Sequence, residues 1–239
     1  MKITLKIGGS VIFKENNQYN IELIGNYASV IRNVLEQQEY SVSKMVVVVG
    51  GGRLSRELVS IARSLSSSTS NAHLDLLGIH ASRLNSLLLI SALKDLAYPF
   101  PPQSFEEALR IMSGNSTLII SGGLQPGQST NAVAAILAEA LGTDLLINLS
   151  NIKKVYNKDP RKFKDARPLD VIDYNDFIKI VMENQQKPGN YELFDLVGAE
   201  IVKRSGIPLY FVDGYNPKLI TDVLNGENPG SLVTKVERG

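Results

Sequence analysis

Met45-Val46-Val47-Val48-Val49 is an unbroken apolar run that stops at Gly50-Gly51-Gly52. β-Branched side chains favour extended backbone, and a strand without polar alternation has no face to offer water. Such a strand is covered on both sides, as in a parallel sheet held between helical layers. The pattern repeats along the chain. Short apolar segments at 2–8, 117–121, 145–149 and 208–212 alternate with stretches whose apolar residues recur every three or four positions. Ile21, Ile24, Ala28, Ile31 and Leu35 mark one amphipathic helix, and Leu54, Leu58, Ile61, Ala62 and Leu65 mark the next. Further helical patterns cover 72–96, 105–112, 131–141, 175–182 and 218–224, with another through Leu193, Val197 and Ile201 to Gly206. Pro99-Phe100-Pro101-Pro102 ends the longest of these, and 231–234 reads as a last strand. Strands separated by helices require right-handed crossovers. The expected fold is α/β, a three-layer αβα sandwich around a mostly parallel central sheet.

The 150–190 stretch is polar with scattered prolines and too short for a core of its own, so a single domain over 1–239 is expected. Net charge is +1, which gives no global field to recruit nucleic acid or an anionic membrane. The absence of cysteine excludes disulfides, thiolate zinc sites and cysteine nucleophiles. Met1-Lys2-Ile3-Thr4-Leu5-Lys6-Ile7-Gly8 is too short and too charged for a secretory signal. No segment approaches the roughly 20 apolar residues of a membrane helix. A soluble cytoplasmic protein is expected.

Three strands run into glycine turns: Gly8-Gly9-Ser10, Gly50-Gly51-Gly52 and Gly122-Gly123. In open parallel sheets ligands bind outside the carboxyl ends of the strands, and glycine lets phosphate approach the backbone closely. The third turn continues as Leu124-Gln125-Pro126-Gly127-Gln128-Ser129-Thr130 before an alanine-rich helix. It has nearly the spacing of a phosphate-binding P-loop, with Gln128 where that loop needs its lysine. A helix N-terminus still suits an anion there, but the cation for an entire triphosphate is missing. The loop therefore suits a smaller phosphorylated molecule, with the donor held elsewhere. Lys6, two residues before the first glycine and on one strand face with it, is the natural cation for transferring phosphate. Arg56, one helical turn beyond Gly52, can fork onto phosphate, and Arg53 is equally close in sequence.

These residues, with Ser150-Asn151-Ile152, Val155-Tyr156 and Asp159-Pro160, resemble the amino acid kinase superfamily. The loop 124–130, Leu74-Asp75-Leu76-Leu77-Gly78-Ile79 and Ala81-Ser82-Arg83-Leu84-Asn85 resemble its archaeal-type UMP kinase branch. The resemblance spans essentially the whole chain. It implies magnesium-dependent transfer of the ATP γ-phosphoryl group to UMP. It assigns Lys6, Gly8, Gly9 and Ser10 to the ATP phosphates, with Lys6 stabilising the moving group. Gly51 would touch UMP, and Gly52 and Arg56 would lie at the phosphates between the nucleotides. Asp75 would accept hydrogen bonds from the UMP ribose, and Leu124, Gln125, Pro126, Gly127, Gln128, Ser129 and Thr130 would wrap UMP. Ser150, Tyr156 and Asp159 would line the adenosine side. A homohexamer built as a trimer of dimers is also implied.

The chemistry needs no general base, because a phosphomonoester with a second pKa of about 6 is already a nucleophile at neutral pH. His73 and His80 fall on one expected helix, away from the glycine turns, as structural or surface residues. Lys153-Lys154 stands where relatives carry Asp-Gly; facing water is the expectation and contact with phosphate the alternative. Asp144 either lies near the phosphates or caps the start of a strand. Two rivals share the scaffold. An isopentenyl phosphate kinase would need a histidine shortly after the triple-glycine turn, where Arg53-Leu54-Ser55-Arg56-Glu57 has none. Against a non-catalytic nucleotide or oxyanion binder, Lys6 and the intact 124–130 loop argue for catalysis, and Lys153-Lys154 is the feature that leaves room for a binder.

Overall fold

The computed structural model describes residues 1–185 and 193–236, so the end of the 150–190 stretch lies outside it. In chain order the elements are β1 (Lys2–Ile7), α1 (Ile21–Glu36), β2 (Lys44–Val49), α2 (Gly52–Leu65), α3 (Asn71–Ala92), α4 (Phe105–Ser113), β3 (Leu118–Ser121), α5 (Thr130–Leu141), β4 (Leu145–Ser150), β5 (Val155–Tyr156), β6 (Pro168–Leu169), β7 (Val171–Asp173), α6 (Tyr174–Gln185), α7 (Leu196–Ser205), β8 (Leu209–Asp213), α8 (Leu219–Leu224) and β9 (Ser231–Thr234). Among the described residues the central sheet runs β3-β2-β1-β4-β8-β9-β7, parallel except where β9 pairs antiparallel with β8. This is the expected α/β sandwich. The order reverses at β1: the chain moves outward through β2 to β3, then returns to β4 on the other side of β1. That reversal opens the crevice between β1 and β4 in which open α/β sheets bind ligands.

Alternation along the strands builds the two cores. Ile3, Leu5 and Ile7 of β1 join Met45, Val47 and Val49 of β2 in a layer with Tyr27, Ile31 and Leu89 from α1 and α3. Val46, Val48, Leu146 and Phe211 face the other layer, with Val133 and Leu137 of α5 and Val202 of α7. Thr4 and Lys6 point from β1 into that second layer and are buried. Phe177, Phe194 and Phe211 cluster there with ring centroids 5.5–5.9 Å apart.

Three short strands depart from the expectation. β5 and β6 form a two-stranded antiparallel ribbon, and β7 pairs parallel with β9 at the sheet edge. Each has only two or three residues, too few for a period to show. Asp144 settles at the far end of the sheet. Its carboxylate accepts from the Lys2 N–H at 2.7 Å, where β1 and β4 begin, so it caps the start of the strands and is remote from the phosphates.

Candidate active site

The first two glycine turns meet backbone to backbone. A Cβ on Gly9 would lie 2.2 Å from the Gly52 nitrogen, and one on Gly52 would lie 2.1 Å from the Gly9 carbonyl oxygen. Gly52 also has φ +58°, a region that only glycine occupies freely. Steric need at this junction therefore explains the glycines as well as ligand approach does. Their N–H groups divide into two sets. Gly8 donates to the Leu149 carbonyl at 2.7 Å and Gly50 to the Ile7 carbonyl at 2.9 Å, so both are spent in the sheet. The N–H groups of Gly9, Ser10, Gly51 and Gly52 have no backbone acceptor among the described residues.

Those four donors adjoin the N-terminus of α2, which starts from Gly51 with no side-chain cap and no acidic residue in its first turn. Uncapped first-turn N–H groups and the helix dipole favour an anion. The α5 N-terminus differs from expectation. The Ser129 hydroxyl accepts from Asn131 N–H at 3.0 Å and Ala132 N–H at 3.1 Å, and donates to Asp195 at 2.5 Å. The near-P-loop helix is thus already capped, and the open helix end belongs to α2.

Lys6 lies at the centre. It is 8% exposed on β1, between β2 and β4 and in register with Val48 and Asn148, and makes no ion pair among the described residues. Burial brings its ammonium down to about 8, while the Asp195 carboxylate pulls the other way. Beside the second turn, the buried Arg53 Nε also has no hydrogen-bond partner among the described residues. Arg56 is exposed one turn further along α2, on a groove shared with Val59, Ser60 and Arg63. Orphaned buried donors and a naked ammonium in one crevice are groups waiting for an anion.

The acceptor side is organised by α3. Its Asn85 amide donates to the Gly50 and Gly51 carbonyls at 2.8 and 3.1 Å. Ser82 accepts from Gly123 N–H at 2.7 Å, and Arg83 donates to the carbonyls of Gly123 and Leu124 at 3.0 and 3.3 Å. Asp75 accepts from Gly127 N–H at 2.9 Å, which brings it onto the 124–130 loop. Gln125 and Pro126 are exposed and Gln128 half-buried along that loop, while Leu124 is buried. The Thr130 hydroxyl lies 3.4 Å from where a Gly50 Cβ would stand, so the second and third turns share one pocket wall. His73 and His80 are exposed, as surface residues should be, but their helix packs directly on two glycine turns.

Across the crevice, Ser150 is buried, and its hydroxyl accepts from Ile152 N–H at 3.1 Å. A Gly8 Cβ would lie 3.3 Å from its Cα, so Ser150 borders the first turn. Tyr156 is half-buried on β5. Asp159 is 4% exposed and holds Arg161 through two bonds of 3.0 and 3.1 Å, which keeps its carboxyl below the usual range. Its carboxylate shapes the loop after β5. Lys153 pairs with Asp213 at 3.0 Å and Lys154 with Asp170 at 2.5 Å. The two lysines that replace Asp-Gly therefore form surface ion pairs, with the Lys153 side chain 75% exposed to water as expected.

Two groups escaped the sequence reading. Asn148 looks like part of an apolar strand, and its buried amide oxygen has no partner. Asp195 reads as an ordinary helix cap for α7, bonded to Gly198 N–H at 2.9 Å. No signal short of the fold itself brings it near Lys6. The implied magnesium wants hard oxygen ligands and keeps several from water and phosphates. Among the described residues no group of three or more His, Asp or Glu forms a cage, and both Asp195 oxygens are already engaged. A crevice lined by open backbone N–H groups and lacking a carboxylate cage among the described residues suits an ion that arrives on an anionic ligand.

Residues 1–213 match the amino acid kinase family. The chain is 44% identical to the uridylate kinase of Pyrobaculum aerophilum over 98% of its own length and 100% of that protein. It is 36% identical to the uridylate kinase of Methanobrevibacter smithii, covering 98% and 99% of the two chains. The crystal structure of uridylate kinase from Archaeoglobus fulgidus superposes with a TM-score of 0.83 at 35% identity, covering 98% of this chain and all of that one. With the family's glycine turns, crevice and central lysine all assembled on its own sheet, the chain belongs to the amino acid kinase family.

Proposed function

We propose that this protein is a UMP kinase that transfers the γ-phosphoryl group of ATP to UMP, giving ADP and UDP, in pyrimidine nucleotide biosynthesis. The observation that carries this reading is the Lys6 ammonium, buried without an ion pair beside four unengaged N–H groups at the junction of the glycine turns. Near full-length similarity to uridylate kinases supports it.

An oxygen of the UMP phosphate attacks the γ-phosphorus of ATP in line, and the bond from that phosphorus to the bridging oxygen breaks to release ADP. Little covalent chemistry is asked of the protein, so rate comes from position and charge. Lys6 stabilises charge on the transferring oxygens. Gly9, Ser10 and Gly52 donate N–H groups to the donor phosphates, Gly8 shapes the turn, and Arg53 and Arg56 supply guanidinium at the α2 end. Gly51, Asp75 and the loop from Leu124 to Thr130 hold UMP, Asp75 through the ribose. Ser150, Tyr156 and Asp159 form the adenosine side. With Gly9, Ser10 and Gly52 holding the donor phosphates, magnesium carried on those phosphates would supply further neutralisation of their charge.

The chain works as one unit, since its sheet draws strands from Lys2 through Thr234. It assembles as a homohexamer, a trimer of dimers: Leu76, Leu84 and Leu88 on α3 and Ile61 and Leu65 on α2 are exposed apolar residues suited to a second copy. Among the described residues no helix is long and apolar enough to cross a membrane, which agrees with work in the cytoplasm on soluble nucleotides. An acceptor panel with labelled ATP and magnesium tests the reading. UMP is expected to be phosphorylated in preference to CMP, AMP and isopentenyl phosphate, and equal turnover of isopentenyl phosphate would overturn it.

A further inference from the structure

The second layer of the molecule, into which Lys6 points, holds two neighbouring helix N-termini. Those of α5 and α7 are joined by the 2.5 Å hydrogen bond from Ser129 to Asp195. Ser129 ends the acceptor loop and caps α5; Asp195 caps α7 with its other oxygen. Around Lys6, β2 presents Val48 and β4 presents Asn148 in register. The α5 N-terminus presents hydroxyls and amides, and α7 presents Asp195. Of these neighbours only Asp195 is charged. We propose that Asp195 is a positioning residue for phosphoryl transfer, tying the 124–130 loop to α7 through Ser129 in the layer into which Lys6 points.

The physical case has two parts. A buried ammonium without a direct partner tends to lose its proton, and a neutral amine offers little to an anionic transition state. A carboxylate close enough to act through space, yet engaged by Ser129 and Gly198, keeps the charge without sealing it in an ion pair. It stabilises the cation and leaves the ammonium's own donors for phosphate. The direction of the Asp195 effect on Lys6 agrees, raising its affinity for a proton against the effect of burial. The second part is mechanical. Ser129 is the last loop residue before α5, so freeing its hydroxyl from Asp195 loosens the loop against the layer that carries Lys6. Misplacement of about 1 Å between reacting groups can cost roughly a hundredfold in rate.

The inference rests on the UMP kinase reading, and the test separates the two. Asp195→Asn keeps a good N-cap for α7 and removes the charge. In the full chain it is expected to melt close to the wild type. The basic limb of its kcat profile should move to lower pH, as loss of a through-space charge predicts, with kcat at pH 8 falling about tenfold. Ser129→Ala should instead raise the KM for UMP and leave the basic limb in place. Direct NMR titration of the Lys6 ammonium without nucleotide gives a readout independent of the acceptor. A lower titration point in Asp195→Asn supports the link even if the wild type proves to use another acceptor, which would sink only the function. An unchanged Lys6 titration and a wild-type pH profile in Asp195→Asn would overturn the proposal.

Discussion

Lys6 carries its charge into the sheet without an ion pair, and burial brings the ammonium from an ordinary 10.5 to about 8. Between those values the unfolded chain holds a proton that the folded chain has released. This group's penalty on folding is therefore present in full below about pH 8 and fades as pH rises toward 10.5. A difference of this size corresponds to on the order of 3 kcal/mol at neutral pH. Lys6→Met, similar in length and content to remain buried, is expected to raise the melting temperature near pH 7 and lower kcat by orders of magnitude. It should also remove the gain in stability with rising pH, which melting curves from pH 7 to 10 would show. A variant no more stable than the parent would mean that the ammonium is better solvated than its burial implies. In the wild type, activity should fall as pH climbs through about 8, opposite in sign to the stability trend. Lys6 was legible in the sequence because a lysine two residues before a glycine turn shares the turn's face. Asp195 was not, since a helix cap next to an apolar stretch gives no hint of which strand lies beneath it. Lys153 faces water as expected, but its partner, Asp213, was hidden because it becomes a neighbour only when β4 and β8 align. That exposed pair contributes little to stability.

At the scale of elements, function depends on which helix ends are left open. α5 looked like the anion-binding helix from its loop, yet Ser129 satisfies its first N–H groups while α2 begins uncapped. Capping turns on side-chain rotamers and cannot be read from glycine spacing. The scaffolding by α3 was equally hidden: its polar residues occur in a long, mostly apolar helix, and only packing shows that Ser82, Arg83 and Asn85 face the turns. The long elements were legible because their periods run over many residues, whereas β5, β6 and β7 are shorter than any period. Ser82 offers a test. It accepts from Gly123 N–H and donates to the Ile79 carbonyl at 2.7 Å each. Ser82→Ala leaves a buried N–H unpaired, at a cost of about 1–3 kcal/mol, and frees the turn that leads into the acceptor loop. Denaturant unfolding should show the loss, and steady-state kinetics should show a raised KM for UMP with little change for ATP. A rise confined to ATP would place the acceptor loop on the wrong side of the crevice.

The whole molecule divides its labour at the reversal between β1 and β4. Strands β1, β2 and β3 end in the three glycine turns, while β4 and β8 end at Ser150 and Asp213. Lys6 stands at the boundary, where on the proposed reading one cation would serve both halves and the 124–130 loop would need no lysine of its own. Each crevice is therefore assembled from the strand ends of a single chain, and assembly into an oligomer has a separate basis. On α3, Leu76, His80, Leu84 and Leu88 recur every four residues and are exposed, which places them in one strip along the outer face. Burying a leucine side chain is worth about 1.5–3 kcal/mol, so three along one strip favour pairing with a second copy. Leu84→Glu sets a charge in the middle of that strip and should lower the mass seen by light scattering, while circular dichroism and turnover per chain stay near wild type. If the mass is unchanged, the copies meet on another face. If turnover collapses while the fold remains intact, a neighbouring chain must be helping to hold α2 and α3 over the acceptor pocket.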